Sequence, residues 1–400
     1  MQWNLVYVVY AIHAQSHYFI CVLNIFQPLP FQNTPYLHLM FSSIQGQDHI
    51  ANYVVQAAAN EHLPHTMLLS GKAGYGLFPM AMAITKFIMC SNRADDACGQ
   101  CANCFKVDKL QHPDLHIFFP TSKSKVTTAH VMADFREMYG QHELFDYVDW
   151  IEMMNDGENL NINADIIADI NKAFGFKSFE DGPRVFLIWG AEYLGQQGNK
   201  LLKVIEEPPE DAYIILMAEN RHAILTTILS RCQTQLLKPL STDAMLSALS
   251  LEENDDNIQL VQAAIGDLKQ AKVLMSRGLD EFHHLWLTYL RAGFKGHPTE
   301  LLNVSGDIAN RGKSFCRQFI HYGIGLISKM LRSAMGIPLE EDPAVEKLAQ
   351  LLDIKQLEDF NLRLQEDFGH VNRNAKLNIL FASQALWIHE MFKVRSSKSV

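Results

Sequence analysis

Four cysteines crowd the stretch 90-CSNRADDACGQCANC-104 in a C-x7-C-x2-C-x2-C array. Thiolates at Cys90, Cys98, Cys101 and Cys104, so close in sequence, can converge on one tetrahedral zinc, and Gly99 eases the turn between ligands. Because protein would fill all four positions, the expected zinc is structural. A zinc deaminase is disfavoured, since its H-x-E partner motif and open water position are missing. The chain has seven cysteines; a secreted disulfide framework would spread pairs along a short chain, so this crowding suits a reducing compartment, and the expected location is the cytoplasm. His112 and His116 in 112-HPDLH-116 have suggestive spacing, but with four thiolates at hand they are expected to pack or cap.

A second stretch, 70-SGKAGYGLFPMA-81, begins as a phosphate-binding loop does: an apolar strand runs into Gly71, Gly74 and Gly76. In G-x-x-x-x-G-K-[ST] the glycine amides cradle phosphates, the lysine neutralises them and the hydroxyl holds magnesium. Here Leu77 stands where the lysine belongs and Phe78 where the hydroxyl belongs. Lys72, at the loop's second position, cannot take over and is expected to be solvated. The strand 184-RVFLIWGAEYL-194 repeats the loss. Where such a strand should end in magnesium-holding acids it has Trp189 and Gly190, with Glu192 two residues further on. Two defects in tandem point to lost ATP hydrolysis.

These residues must be carried by a fold. At 400 residues, 48% hydrophobic and 20% charged, the chain can build two or three domains with real cores. A formal net charge of −10 disfavours non-specific attraction to nucleic acid over the whole surface, so any DNA contact must be local or shared. Strands are expected over 65–69, 115–120, 184–189 and 213–218, and helices over 41–60, 79–90, 163–174 (capped by Asn163) and 196–207. Continuous apolar strands alternating with helices indicate a parallel sheet covered on both faces. The polar, acidic span 121–161 reads as a helix plus an insertion. Beyond Pro239 strand signals stop, and helical periods run through 241–250, 258–275, 282–294 and 375–392. Residues 1–39 form a separate extension; its apolar run 3–26 is interrupted by His13, Gln15, Ser16, His17 and Asn24, and no basic residue precedes it. The expectation there is a disordered extension or a start placed too early, with Met40 opening the patterned chain; no membrane role is expected.

The third motif is 199-NKLLKVIEEPP-209, followed by a strand and 228-ILSRC-232. This N-x-L-L-K-x-x-E-E-P-P and I-x-S-R-C pair resembles the clamp-loader ATPases of the AAA+ class. With the damaged loop and the cysteine array it is most similar to the delta-prime subunits of the bacterial DNA polymerase III clamp loader. The resemblance is specific over about 40–233. It implies a P-loop α/β domain over 40–238 with a zinc module at 90–104, a helical lid over 239–278 and a helical collar over 279–400, to which 368–381 would contribute a collar helix. It further implies a non-hydrolysing stator of a heteropentamer with motor ATPase and delta-type subunits, reaching the sliding clamp and primed DNA through the complex. Arg231 would act in trans as an arginine finger on a neighbour's ATP, while Gly71, Gly74 and Gly76 would be a non-functional remnant. In 266-GDLK-269, Lys269 stands where the family's sensor-2 motif often has arginine. The insertion at 121–161 lies outside the resemblance. An active motor subunit and a zinc-bearing replication adaptor are the alternatives. No carboxylate cluster arranged for two metal ions is visible, so polymerase chemistry is not expected of this chain.

Overall fold

The computed structural model describes residues 8–14, 17–23, 39–122, 126–142, 144–154, 160–277, 279–336, 347, 350–372 and 375–396. By contacts the chain forms two units, 1–37 and 38–400. In the first, β1 (Val8–Ala14) and β2 (His17–Leu23) pair antiparallel, Val8 opposite Leu23. The rest of the expected extension, residue 39 apart, lies outside the described residues. Among the described residues no helix is long and apolar enough to cross a membrane.

The second unit opens with α1 (Asp48–Ala59) and contains a five-stranded sheet of β3 (Thr66–Ser70), β4 (Leu115–Phe118), β5 (Arg184–Trp189), β6 (Ala212–Ala218) and β7 (Gln233–Leu236), in the order β4-β5-β6-β3-β7. Every pairing is parallel. Strands of this kind are buried on both faces, which is why β3 and β5 are buried at every position. The register aligns the carboxyl ends: Ser70 lies opposite Ala218, and Trp189 opposite Met217. At those ends β3 turns into α2 (Leu77–Met89), and α6 (Ala164–Phe174) begins at Asn163, whose side chain accepts from the amides of Asp165 and Ile166 as expected. The expected helix over 196–207 is instead a 3-10 stretch, Ala191–Leu201, broken at Gly195 (φ 47), and a short α7 (Leu202–Glu206). The four-residue β7 escaped the sequence pattern because it is a polar, partly exposed edge.

The insertion is a defined excursion. Thr121 and Asn161 form an antiparallel bridge, each amide donating to the other's carbonyl at 3.0 Å. Between them lie α4 (Met132–Gln141) and α5 (Tyr147–Met154), which turn aromatic rings inward. Phe135, Phe145, Tyr147 and Trp150 are buried with Phe78, Phe119 and Trp189. The closest of these rings, Phe119 and Phe135, stack at 4.1 Å, and Trp150 donates its indole N–H to Pro120 at 2.9 Å.

After β7 the described elements are helices: α9 (Thr242–Leu249), α10 (Asp255–Ala263), α11 (Leu268–Arg277), α12 (Leu279–Lys295), α13 (Pro298–Asn310), α14 (Lys313–Ala334), α15 (Ile354–Asn372) and α16 (Leu377–Ser396), with a single turn, α8 (Thr226–Leu229), just before β7. The helix expected over 258–275 is split between α10 and α11 by the turn at Gly266. The stretch 368–381 is not one helix: it crosses from the end of α15 into the start of α16. One hydrophobic cluster runs from Leu240 through Trp286 and Phe319 to Phe392.

Phe135 is fully buried and touches Phe78, Phe119, Phe145, Trp150 and Trp189. Phe135→Ala should therefore cost roughly 3–5 kcal/mol, read from the shift of the denaturant midpoint. A loss below about 1 kcal/mol, the range of an exposed substitution, would mean that the insertion does not share the core.

Candidate functional site: a glycine loop packed with rings and an exposed arginine

The glycine loop keeps its backbone form. Gly76 takes φ 89 to start α2, a left-handed conformation open to glycine. At Gly74 a Cβ would lie 1.7 Å from Asp267 Oδ1, so that carboxylate leaves room only for hydrogen. The amide of Gly71 donates to Ala218, that of Tyr75 to Lys72 and that of Gly76 to Ala73. A cradle needs N–H groups free to face an anion; these three are spent on the chain itself.

Side chains close what the backbone outlines. Leu77 is 1% and Phe78 2% exposed. The Phe78 ring meets Phe145 at 4.7 Å and Trp189 edge-on at 6.3 Å. The residue in the hydroxyl's place and the residue in the acids' place thus touch each other through apolar surface, with no oxygen to hold a metal between them. A triphosphate with its magnesium does not fit the residues present. What remains is a cavity of about 30 Å³ lined by Gly74, Asp146, Asp267, Lys269, Arg317 and His321, among others, room for a water or two. A roomier cavity of about 210 Å³ also meets the loop at Gly74–Gly76 and is walled by Leu39, Ile44, Pro79 and Leu240.

Charges gather beside the loop. Lys269 from α11 pairs with Asp146 at 2.5 Å and also with Asp149. Arg317 from α14 pairs with Asp146 and, at 3.5 Å, with Glu219. Asp146 is buried, and its other oxygen accepts from the amides of Val148 and Asp149 at the start of α5. Burial opposes its charge, yet Arg317 and Lys269 hold the carboxyl far below the usual carboxylate range. Lys72 is not solvated as expected. Its ammonium contacts His321 Nδ1 at 3.5 Å and sits 5.7 Å over Phe368, and burial lowers its pKa. His321, pushed down to about 4 chiefly by burial and then by Lys72, is neutral and donates from Nε2 to Ala264.

Arg231 lies apart from this cleft. It follows α8, is about one-third exposed (34%), and touches Glu206 at 3.0 Å, the Thr227 carbonyl at 3.1 Å and Ser230. The four expected cysteine ligands come together. Their sulfurs lie within 4.8 Å of one another and could hold one metal ion. Cys101 starts α3 (Ala102–Asp108) and accepts from the Cys104 amide, while Cys90 accepts from the amides of Asn92 and Cys98. His112 and His116 stay outside the cluster as expected; His112 accepts from the Asp114 amide, and His116 stacks on Phe186.

The sequence reading missed Asp146, Asp149, Glu219 and Arg317. Two signals were present: Asp146 and Asp149 are spaced i, i+3 among aromatic residues, and Arg317 stands between Phe315, Cys316, Phe319 and Ile320.

A family model described as DNA polymerase III, delta subunit, matches residues 46–241. The DNA polymerase III subunit delta' of Bacillus subtilis is 24% identical over 237 residues, 59% of this chain and 60% of that protein. The delta' subunit of Haemophilus influenzae is 26% identical over 247 residues, 60% and 63% of the two chains. Over residues 46–241 the chain is similar to the delta-prime family. It spans about 60% of the length of those delta-prime relatives. A gamma/tau subunit of Mycoplasma pneumoniae is 27% identical over 237 residues, 58% of this chain and 29% of that one. A solved gamma-subunit-related protein of Thermotoga maritima overlays 86% of this chain at a TM-score of 0.38 and 13% identity, a slight likeness.

Glu192 provides a pH test. Burial, and then the neighbouring Glu219 carboxylate, push it up to about 8 against the lowering pull of backbone N–H donors; Tyr147 and Tyr193 are the other titratable groups facing it. Between its ordinary value of 4.5 and about 8 the folded chain holds a proton that the unfolded chain has released, so stability falls as pH rises through that window. Glu192→Gln should flatten the decline of Tm between about pH 5 and pH 8, the window set by that linkage. A Tm–pH curve parallel to wild type would contradict the assignment.

Proposed function

We propose that the chain is a non-hydrolysing stator of the bacterial DNA polymerase III clamp loader, working in the cytoplasm within a heteropentamer of motor ATPase and delta-type subunits. In this reading 40–238 is the AAA+ domain, 239–278 the lid and 279–400 the collar, whose apolar helix faces bury against partners. The sliding clamp and primed DNA are reached through the assembly.

The observation that carries the proposal is the contact of Phe78 with Trp189 inside a buried aromatic cluster. An ATPase needs a cation, a hydroxyl and metal-holding acids at those places, and an active motor subunit is disfavoured because apolar rings fill them. Gly71, Gly74 and Gly76 then serve as the corner between β3 and α2. The exposure of Arg231 supports its assignment as a finger given in trans. A planar guanidinium can spread its donors over the oxygens of a neighbour's γ-phosphate, a role worth about 10³ to 10⁵ in rate in GTPases.

The metal proposed for Cys90, Cys98, Cys101 and Cys104 is structural zinc. Zinc–sulfur bonds of about 2.3 Å imply tetrahedral edges of about 3.8 Å. The observed sulfur separations of 3.4 Å (Cys101–Cys104), 3.9 Å (Cys90–Cys101) and 4.0 Å (Cys98–Cys104) bracket that edge.

Two measurements test these readings. In a reconstituted loader, Arg231→Ala should leave assembly intact and lower the ring's ATP turnover by at least about tenfold, given the size of finger effects; wild-type turnover in an assembled ring would refute the finger. Gently purified chain should carry about one zinc, as a closed four-thiolate site does, and a content near zero would remove the metal.

A further inference from the structure

The insertion, which the family resemblance leaves unexplained, lies in the cleft that the glycine loop outlines. Its described parts, 126–142 and 144–154, are tied at the base by the Thr121–Asn161 bridge and enter from the side of β4. Phe135, Phe145 and Tyr147 close over Phe78 and Trp189, Tyr147 meeting Trp189 at 4.6 Å. Past the rings, Asp146 and Asp149 face Lys269 and Arg317. These two cations come from separate helices, and both line the same small cavity as Gly74 of the loop.

We propose that this excursion is a built-in occupant of the vestigial nucleotide cleft, its Asp146 and Asp149 carboxylates standing in for the polyphosphate of a bound nucleotide. A polyphosphate presents several closely spaced anionic oxygens to converging cations and N–H groups. The first turn of α5 presents carboxylate oxygens in the same manner. Lys269 is the cation at the position that the resemblance assigns to a phosphate sensor, and it spends its charge on both aspartates. Arg317 adds a second cation from α14, and Glu152 of α5 accepts from the Ser314 amide at the N-terminus of that helix at 3.0 Å. The occupant therefore links the sheet domain to α11 and α14 without any ligand, and the arrangement of these parts does not wait on nucleotide. The inference rests on reading Gly71–Gly76 as a former phosphate loop and is independent of Arg231.

Anion rescue in the isolated chain tests it. Asp146→Ala combined with Asp149→Ala leaves Lys269 without either carboxylate partner and Arg317 with Glu219 alone. The variant should melt several degrees below wild type, since buried charges lose their partners, and millimolar inorganic tripolyphosphate should restore at least half of that loss. Wild type should not respond to tripolyphosphate or to Mg-ATP, and sulfate at matched ionic strength should restore little. Adding Lys269→Gln to the double variant should abolish the rescue. If the double variant does not fold, Asp146→Ala alone, which removes the carboxylate shared by both cations, carries the same measurement. Wild type stabilised by tripolyphosphate as strongly as the variant would overturn the proposal, because the cleft would then be open. A folded, destabilised variant with no rescue would overturn it too. The ring assay is separate: a silent Arg231→Ala beside a positive rescue would remove the finger and leave the occupant standing.

Discussion

The structure depends on a buried carboxylate, Asp146, held between two cations that belong to different parts of the chain. Taking such a charge out of water costs several kcal/mol unless partners and hydrogen bonds satisfy it. Here one oxygen takes the amides that begin α5 and the other takes Lys269 and Arg317. Buried pairs of this kind add little net stability compared with an apolar replacement, but removing one partner strands the rest. The cluster therefore acts more as a register than as glue: one carboxylate ties α5 to both α11 and α14.

The same logic accounts for the form of the glycine loop. The turn from β3 to α2 needs a left-handed residue at Gly76 and a side-chain-free position at Gly74 because Asp267 leans on it. Those demands are architectural, and they persist whatever occupies the cleft. The positions after the loop carry no such demand: Phe78 and Trp189 pack against the insertion's rings, and Leu77 is buried. Aromatic packing supplies area and edge-to-face contacts where a metal site would have demanded charged oxygens.

How much of this was legible in the sequence follows from the range of each interaction. The sheet was readable because β3, β5 and β6 are continuous apolar runs, and the cysteine cluster because its ligands are close along the chain. The Asn163 cap is a local event within one turn. The insertion was not readable, because its meaning lies in contacts across 120 or more positions, such as Asp149 with Lys269 and Asp146 with Arg317. Lys72 was misjudged for the same reason: a loop lysine is ordinarily solvated, and beside the nearby Tyr75 ring it is His321 and Phe368, far along the chain, that cover it. The edge strand β7 failed on composition, since Gln233–Leu236 is polar and pairs on one side only.

The two arginines of the chain that matter most differ in what it would take to move them. Arg317 is deep in the cleft among carboxylates, and drawing it out would leave Asp146 and Glu219 short of a counter-charge in a poorly solvated place. Arg231 is held by Glu206, itself more than half exposed, and by a carbonyl and a hydroxyl at the surface. An exposed ion pair of that sort is worth about 0–1 kcal/mol, so the guanidinium can leave Glu206 for a better anion at almost no cost. For a chain proposed to lend a positive charge to a neighbour, that asymmetry is the physical requirement: the internal cation must stay fixed so that the subunit holds its form, and the external one must be easy to give.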